Sequence, residues 1–191
     1  MLYIKDHYYH VYNRGVAGNN IFYEREDYLH LLKLVKKYQK RYAIKIVAYS
    51  LIPNHYHFLI RQDSDVPVSR FLQTLFNSYV QGINAKMGRK GTLFEGSAKS
   101  RFINKEDYLI YVCIYIHLNP IKHGIVNNLL DWEFSNYFEF IGVRNGSIFD
   151  REFMINNFGD SKTYNKWVED SLANKDYYNN IKKYIHNLRI P

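Results

Sequence analysis

The chain of 191 residues has one cysteine, Cys113, and only 4 prolines. A single thiol excludes an internal disulfide framework and any cysteine-built zinc site, and it suits a reducing compartment. No apolar run approaches the roughly 20 residues a membrane-spanning helix needs. The opening Met-Leu-Tyr-Ile-Lys-Asp-His lacks the apolar stretch of a secretory signal. These absences lead to the expectation of a cytoplasmic protein with no membrane partner. Internal repeats, low-complexity tracts and Gly/Ser linkers are missing as well. Acidic residues are in the minority, with 18 Asp and Glu against 26 Lys and Arg, a formal charge of +8. That balance favours a polyanionic partner, nucleic acid before an anionic lipid surface. What the chain has in excess is aromatic surface, with 19 Tyr and 12 Phe. Hydrophobic residues reach 47%, enough to bury a real core.

Residues 8 to 13 are aromatic and β-branched and are followed by Gly15 and Gly18, which reads as a strand and its turn. From Glu24 to Tyr42, the apolar positions Tyr28, Leu31, Leu32, Val35, Tyr38 and Tyr42 recur at helical spacing. The acidic start and basic end of that segment suit the helix dipole. Ile44 to Ile52 and His55 to Arg61 flank Pro53-Asn54 as a hairpin. Phe71 to Met87 is a second amphipathic helix. A basic Gly-containing loop follows (Gly88-Arg89-Lys90-Gly91), then a strand over Ala98 to Ile103. Asn104, with Asp107 three residues on, reads as the cap of a third helix that Asn119-Pro120 should stop near Leu118.

The order strand, helix, strand, strand, helix, strand, helix predicts an α+β fold. It is a ferredoxin-like sandwich of an antiparallel sheet with packed helices, carrying an additional helix. Residues 125 to 145 read as an irregular aromatic segment, in which Trp132 and Phe134 pack onto the sheet. Residues 150 to 191 read as two or three short helices, so we divide the chain into a domain over 1–145 and a C-terminal, helical extension over 146–191.

The sharpest local feature is Pro53-Asn54-His55-Tyr56-His57-Phe58-Leu59. Strand side chains alternate, so Tyr56, Phe58 and Ile60 share a core face and His55 and His57 share the opposite one. Two imidazoles so spaced are either a solvated surface pair or a chelate for one divalent ion. On the third helix Tyr108, Tyr111 and Tyr115 share a face, and Asn119 lies one turn beyond Tyr115. A tyrosine stripe is either core packing or the carrier of a nucleophile. The latter needs a cation close by, because an ordinary phenol has a pKa of about 10.

Taken in order, several separated blocks resemble the single-tyrosine HUH transposases of small insertion sequences. The closest likeness is to their relatives associated with repetitive extragenic palindromes. The blocks are His10-Val-Tyr-Asn-Arg-Gly15, Pro53 to Leu59, Gly91-Thr-Leu-Phe-Glu-Gly96 with Lys99-Ser-Arg101, Tyr115 to Gly124, and Trp132 to Tyr137. The resemblance implies metal-dependent cleavage and strand transfer of single-stranded or hairpin DNA. Tyr115, on the additional helix, would be the nucleophile and form a 5′-phosphotyrosine bond. His55, His57 and Asn119 would hold Mg²⁺ or Mn²⁺, with Glu95 as a reserve ligand. Arg14, Arg89, Lys90, Lys99 and Arg101 would hold phosphates, and Phe94 and Tyr137 would stack on unpaired bases. Cys113 is read as a core residue. The resemblance also leans toward a monomer over a homodimer. Two other readings stay open: a domesticated hairpin-DNA-binding protein that no longer cleaves, and a metal-dependent hydrolase that uses water.

Overall fold

The structure is a computed structural model that describes residues 3–104 and 106–187. Four strands form one antiparallel sheet: β1 (Tyr8–Arg14), β2 (Ile44–Ile52), β3 (His55–Gln62) and β4 (Lys99–Ile103), in the order β2-β3-β1-β4. The helices α1 (Arg25–Tyr42) and α2 (Val68–Lys86) complete a βαββαβ unit, the ferredoxin-like arrangement expected from the element order. Helix α3 (Glu106–Lys122) follows β4. After it come the short α4 (Tyr137–Phe140) and the C-terminal α5 (Arg151–Phe158), α6 (Ser161–Ala173) and α7 (Lys175–Asn187).

Alternation along the strands divides the molecule into two apolar layers. Tyr9, Val11, Tyr49, Leu51, Tyr56, Phe58 and Ile60 face α1 and α2, where they meet Leu31, Val35, Leu72, Leu75 and Tyr79. Val47, Ala48 and Leu59 face the other way, onto Val112, Cys113, Ile116 and Leu118 of α3. Phe153, Phe158, Tyr164, Val168 and Ile181 from α5, α6 and α7 belong to that same layer. Helix α3 is therefore covered on two sides, which is why its sequence is apolar all round. Burying each large apolar side chain contributes about 1.5–3 kcal/mol, so the position of α3 is fixed mainly by this packing. Trp132 and Phe134 pack as expected: Phe134 stacks on Tyr28 at 4.0 Å between centroids, and Trp132 Nε1 donates to the carbonyl of Leu51 at 2.9 Å. Cys113 is fully buried.

One expectation fails at α3, which runs through Pro120 instead of stopping before it. Proline cannot donate to the carbonyl four residues back, that of Ile116. The Asn119 amide does so in its place: Nδ2 donates to the carbonyls of Tyr115 (2.8 Å) and Ile116 (3.3 Å). The helix then closes at Gly124, in the left-handed region at φ 66°. Asp107, expected to complete the Asn104 cap, has a side chain outside the described part of the molecule.

Candidate active site

On the α3 face of the sheet, the register sets Tyr12 opposite His57 and Arg14 opposite His55. Tyr8, His10 and Tyr12 share this face with His55 and His57. The edge of α3 that carries Tyr115 closes over it. The Tyr115 ring stands edge-on to His57 (5.8 Å between centroids) and to His10 (6.0 Å). These groups surround a cavity of about 410 Å³ lined by Tyr12, Asn13, Arg14, Asn54, His55, His57, Glu95, Lys99, Tyr115 and His123, among others.

Each of the two strand histidines has its Nδ1 engaged by the protein. His55 Nδ1 lies 2.7 Å from Asn54 Oδ1, and His57 Nδ1 lies 2.9 Å from His10 Nε2. Such outer bonds fix the ring and choose which nitrogen faces a ligand. Burial holds both imidazoles neutral. His55 is pushed down to about 3, by desolvation first and then by the neighbouring His123, against a hydrogen bond to Asn119 that works the other way. His57 is pushed well below its ordinary range by burial and by His10, His55 and His123. Neutral imidazole is the form that binds metals.

Of the nine expected site residues, the cavity brings together Tyr115, His55, His57, Arg14 and Lys99. Asn119 is fully buried behind it, tied to the α3 carbonyls and to His55. Glu95 lines the cavity and forms an ion pair with Arg14, Nε to Oε2 2.5 Å. Arg101 lies beside His10 in the β1–β4 register. Arg89 is used locally, donating to the Thr92 carbonyl (2.9 Å) and the Tyr23 hydroxyl (3.3 Å). Lys90 stands on the same loop and is not among the residues lining the histidine cavity. Tyr137 is not available for base stacking: it is buried against α6, its hydroxyl donating to Asn165 Oδ1 at 2.6 Å. Sequence reasoning missed three residues here: His10, which supports His57, His123, which packs on His55 at 4.4 Å, and Tyr12 in the cavity wall. Period-two spacing of His10 and Tyr12 on a strand that pairs with the histidine strand was the available signal.

A buried polar chain anchors α3 two residues from Tyr115. Asn136 Nδ2 donates to the Val47 carbonyl (2.9 Å), and Asn136 Oδ1 accepts from Tyr49 N (2.7 Å), spanning a bulge in β2 between Ile46 and Ala48. The same Oδ1 accepts from His117 Nε2 at 2.9 Å, so His117 Nδ1 is left to accept from the Tyr164 hydroxyl of α6. Burial pushes His117 down to about 4. Its folded pKa is thus below the unfolded value of about 6.5, so the unfolded chain takes up protons first as pH falls. The stabilisation is complete above pH 6.5 and declines toward pH 4. Urea denaturation of the metal-free protein should show about 2 kcal/mol less stability at pH 5 than at pH 7 from this residue alone. His117→Gln should remove that share, leaving what the depressed His55 and His57 contribute in the same direction.

Similarity to known proteins supports the same reading of the fold. A REP-associated tyrosine transposase, solved bound to a REP hairpin, superposes with a TM-score of 0.62 at 19% identity, covering 79% of this chain and 95% of that one. A putative transposase from Deinococcus radiodurans R1 aligns with a TM-score of 0.44 at 13% identity, over 57% of this chain and 86% of that one. No curated protein matches this chain. The sequence model of IS200-like transposases matches residues 3–119, more than half of the chain and including His55, His57 and Tyr115, and the chain belongs to that family.

Proposed function

We propose that the histidine cavity receives one phosphodiester of an unpaired DNA strand and that Tyr115 is the nucleophile that opens it. The observation carrying this reading is the convergence of Tyr115, His55 and His57 on one cavity from two different elements. The Tyr115 oxygen attacks phosphorus, the bond to the 3′-oxygen breaks, and the proton lost by the phenol is balanced by one taken up by the departing 3′-oxygen. A 5′-phosphotyrosine bond and a free 3′-hydroxyl result. One ester replaces another, so a 3′-hydroxyl can later reverse the step and join strands without a nucleotide triphosphate.

The donors present fit a divalent metal such as Mg²⁺ or Mn²⁺. Among the described residues, no group of three or more His, Cys, Asp or Glu side chains could hold an ion by itself. The two neutral imidazoles would therefore be completed by an oxygen donor. The Asn119 amide fits, because its nitrogen is already spent on α3 carbonyls. Glu95 is the alternative oxygen donor on the cavity wall. When bound, the ion supplies positive charge against the non-bridging phosphate oxygens and favours the ionised phenol.

Arg14 and Lys99 on the cavity wall, with Arg101 and Lys90 outside it, give the strand its phosphate contacts. Hairpin DNA is the favoured substrate form, the form bound by the structurally similar REP-associated transposase. Lys99→Ala should weaken DNA binding for all sequences and lower the slope of log affinity against log salt by about 1. Titrations at several salt concentrations measure it. The reading as a whole is tested with labelled single-stranded hairpin DNA, taken from repeats flanking the gene and incubated with Mg²⁺ or Mn²⁺. A protein-linked DNA band on a denaturing gel is expected. Tight binding with no such band would instead make this a hairpin-binding protein that does not cleave.

A further inference from the structure

A second and larger cavity, of about 780 Å³, adjoins the first. The two share Asn13 and are separated by one stretch of chain. Phe94 and Gly96 face the larger cavity, while Glu95 and Lys99 face the histidines. Asn13 pins that partition, its Nδ2 donating to the Gly96 carbonyl at 2.9 Å. The opposite wall is α2, which presents Gln73, Asn77 and Gln81 at successive turns. All three side chains are exposed.

Among the described residues, the lining includes no Asp, Glu, Lys, Arg or His. In a chain of formal charge +8, a cavity of this size without one charged group is unsuited to phosphate, which calls for cations. It is suited to something planar and uncharged that carries both donors and acceptors. Carboxamides offer a donor and an acceptor in one plane, the pattern that pairs with nucleobase edges. Phe76 and Phe94, ring centroids 5.3 Å apart and nearly buried beside Tyr56, form an apolar floor against which a base edge can rest. The volume lies within the about 300–1,000 Å³ usual for small-molecule sites, room for more than one base.

We infer that this cavity takes unpaired nucleobases from the strand whose phosphodiester lies in the histidine cavity, with Gln73, Asn77 and Gln81 reading their edges. The inference rests on the proposed DNA function and adds where sequence is read. Its chemical logic is a division of labour, with charge and imidazole on one side of the 94–96 partition and amides and rings on the other.

The test uses Tyr115→Phe protein, so that binding is measured without turnover. The probes are fluorescein-labelled (dA), (dC) and (dT) strands of about twelve nucleotides, within the range one single-strand site covers, and an abasic strand with the same number of phosphates. The best base-bearing strand should bind at least about tenfold tighter than the abasic one, the equivalent of one good base contact. Adding Gln73→Ala, Asn77→Ala and Gln81→Ala should cut that ratio at least about fivefold and narrow the ranking among the three bases, leaving abasic affinity and thermal unfolding unchanged. Equal affinity for base-bearing and abasic strands, or an undiminished preference in the triple variant, would overturn the inference while leaving the nuclease reading intact. Failure of the unsubstituted cavity to bind any of the strands would overturn the inference, and the nuclease reading would fall only if the hairpin DNA also gave neither binding nor a protein-linked band.

Discussion

Tyr115→Phe is expected to abolish the protein-linked DNA band, a loss of at least about 10³-fold in strand cleavage, while DNA affinity stays within about twofold. The variant removes one oxygen and keeps the ring that stands edge-on to His57 and His10. The packing of α3 on the sheet is untouched, so lost activity cannot be assigned to a collapsed site. His55→Ala/His57→Ala should lose the band as well, and it should also lose the metal dependence of any residual DNA binding. Two outcomes would sink the assignment. If turnover persists in Tyr115→Phe with no adduct in either protein, water is the nucleophile. If the adduct persists, another tyrosine carries it, and Tyr12 is the one other tyrosine on the cavity wall among the described residues. Tyr111 is 40% exposed and packs on Tyr177, and Tyr79 donates to the Ile21 carbonyl at 2.6 Å in the opposite layer.

The strands were legible because alternation is a strong local signal when each face has a different fate. Tyr56, Phe58 and Ile60 could only be core, and their neighbours His55 and His57 had to face the other way. Helix α3 was legible as a helix, but its end was not. The rule that proline stops a helix assumes that nothing else satisfies the carbonyl proline abandons, and at Ile116 the preceding side chain does. His10 and His123 escaped notice for a different reason. Each is an ordinary histidine in its own segment, and only strand pairing and the last turn of α3 carry them to the cavity. Arg89 marks the opposite failure: a basic Gly-containing loop reads as phosphate-binding, yet this guanidinium is engaged in folding the loop. Both cavities depend on the 92–99 segment, whose course is set by backbone bonds to β1 such as Glu95 N to the Arg14 carbonyl at 3.0 Å. No periodicity announces such bonds.

Asn136→Ala should be the most damaging single substitution outside the cavity, costing about 3–5 kcal/mol of folding stability. Three buried groups depend on that one amide: the Val47 carbonyl, the Tyr49 N–H and the His117 Nε2–H. Asn136 is fully buried, so water cannot replace it without opening the layer. Each group left unpaired costs about 1–3 kcal/mol, against total stabilities of about 5–15 kcal/mol for such domains. Urea denaturation followed by circular dichroism measures the loss, and a change below about 1 kcal/mol would mean the bulge relaxes to pair its own groups. Asn136→Asp separates the bonds. It keeps an acceptor for Tyr49 and His117 but sets an oxygen against the Val47 carbonyl, and its charge should raise the His117 pKa. Because His117 lies on α3 only two residues from Tyr115, both variants should lower strand cleavage by more than their unfolded fraction explains. A cleavage rate that simply tracks the folded population would show that apolar packing alone holds Tyr115 over the histidines.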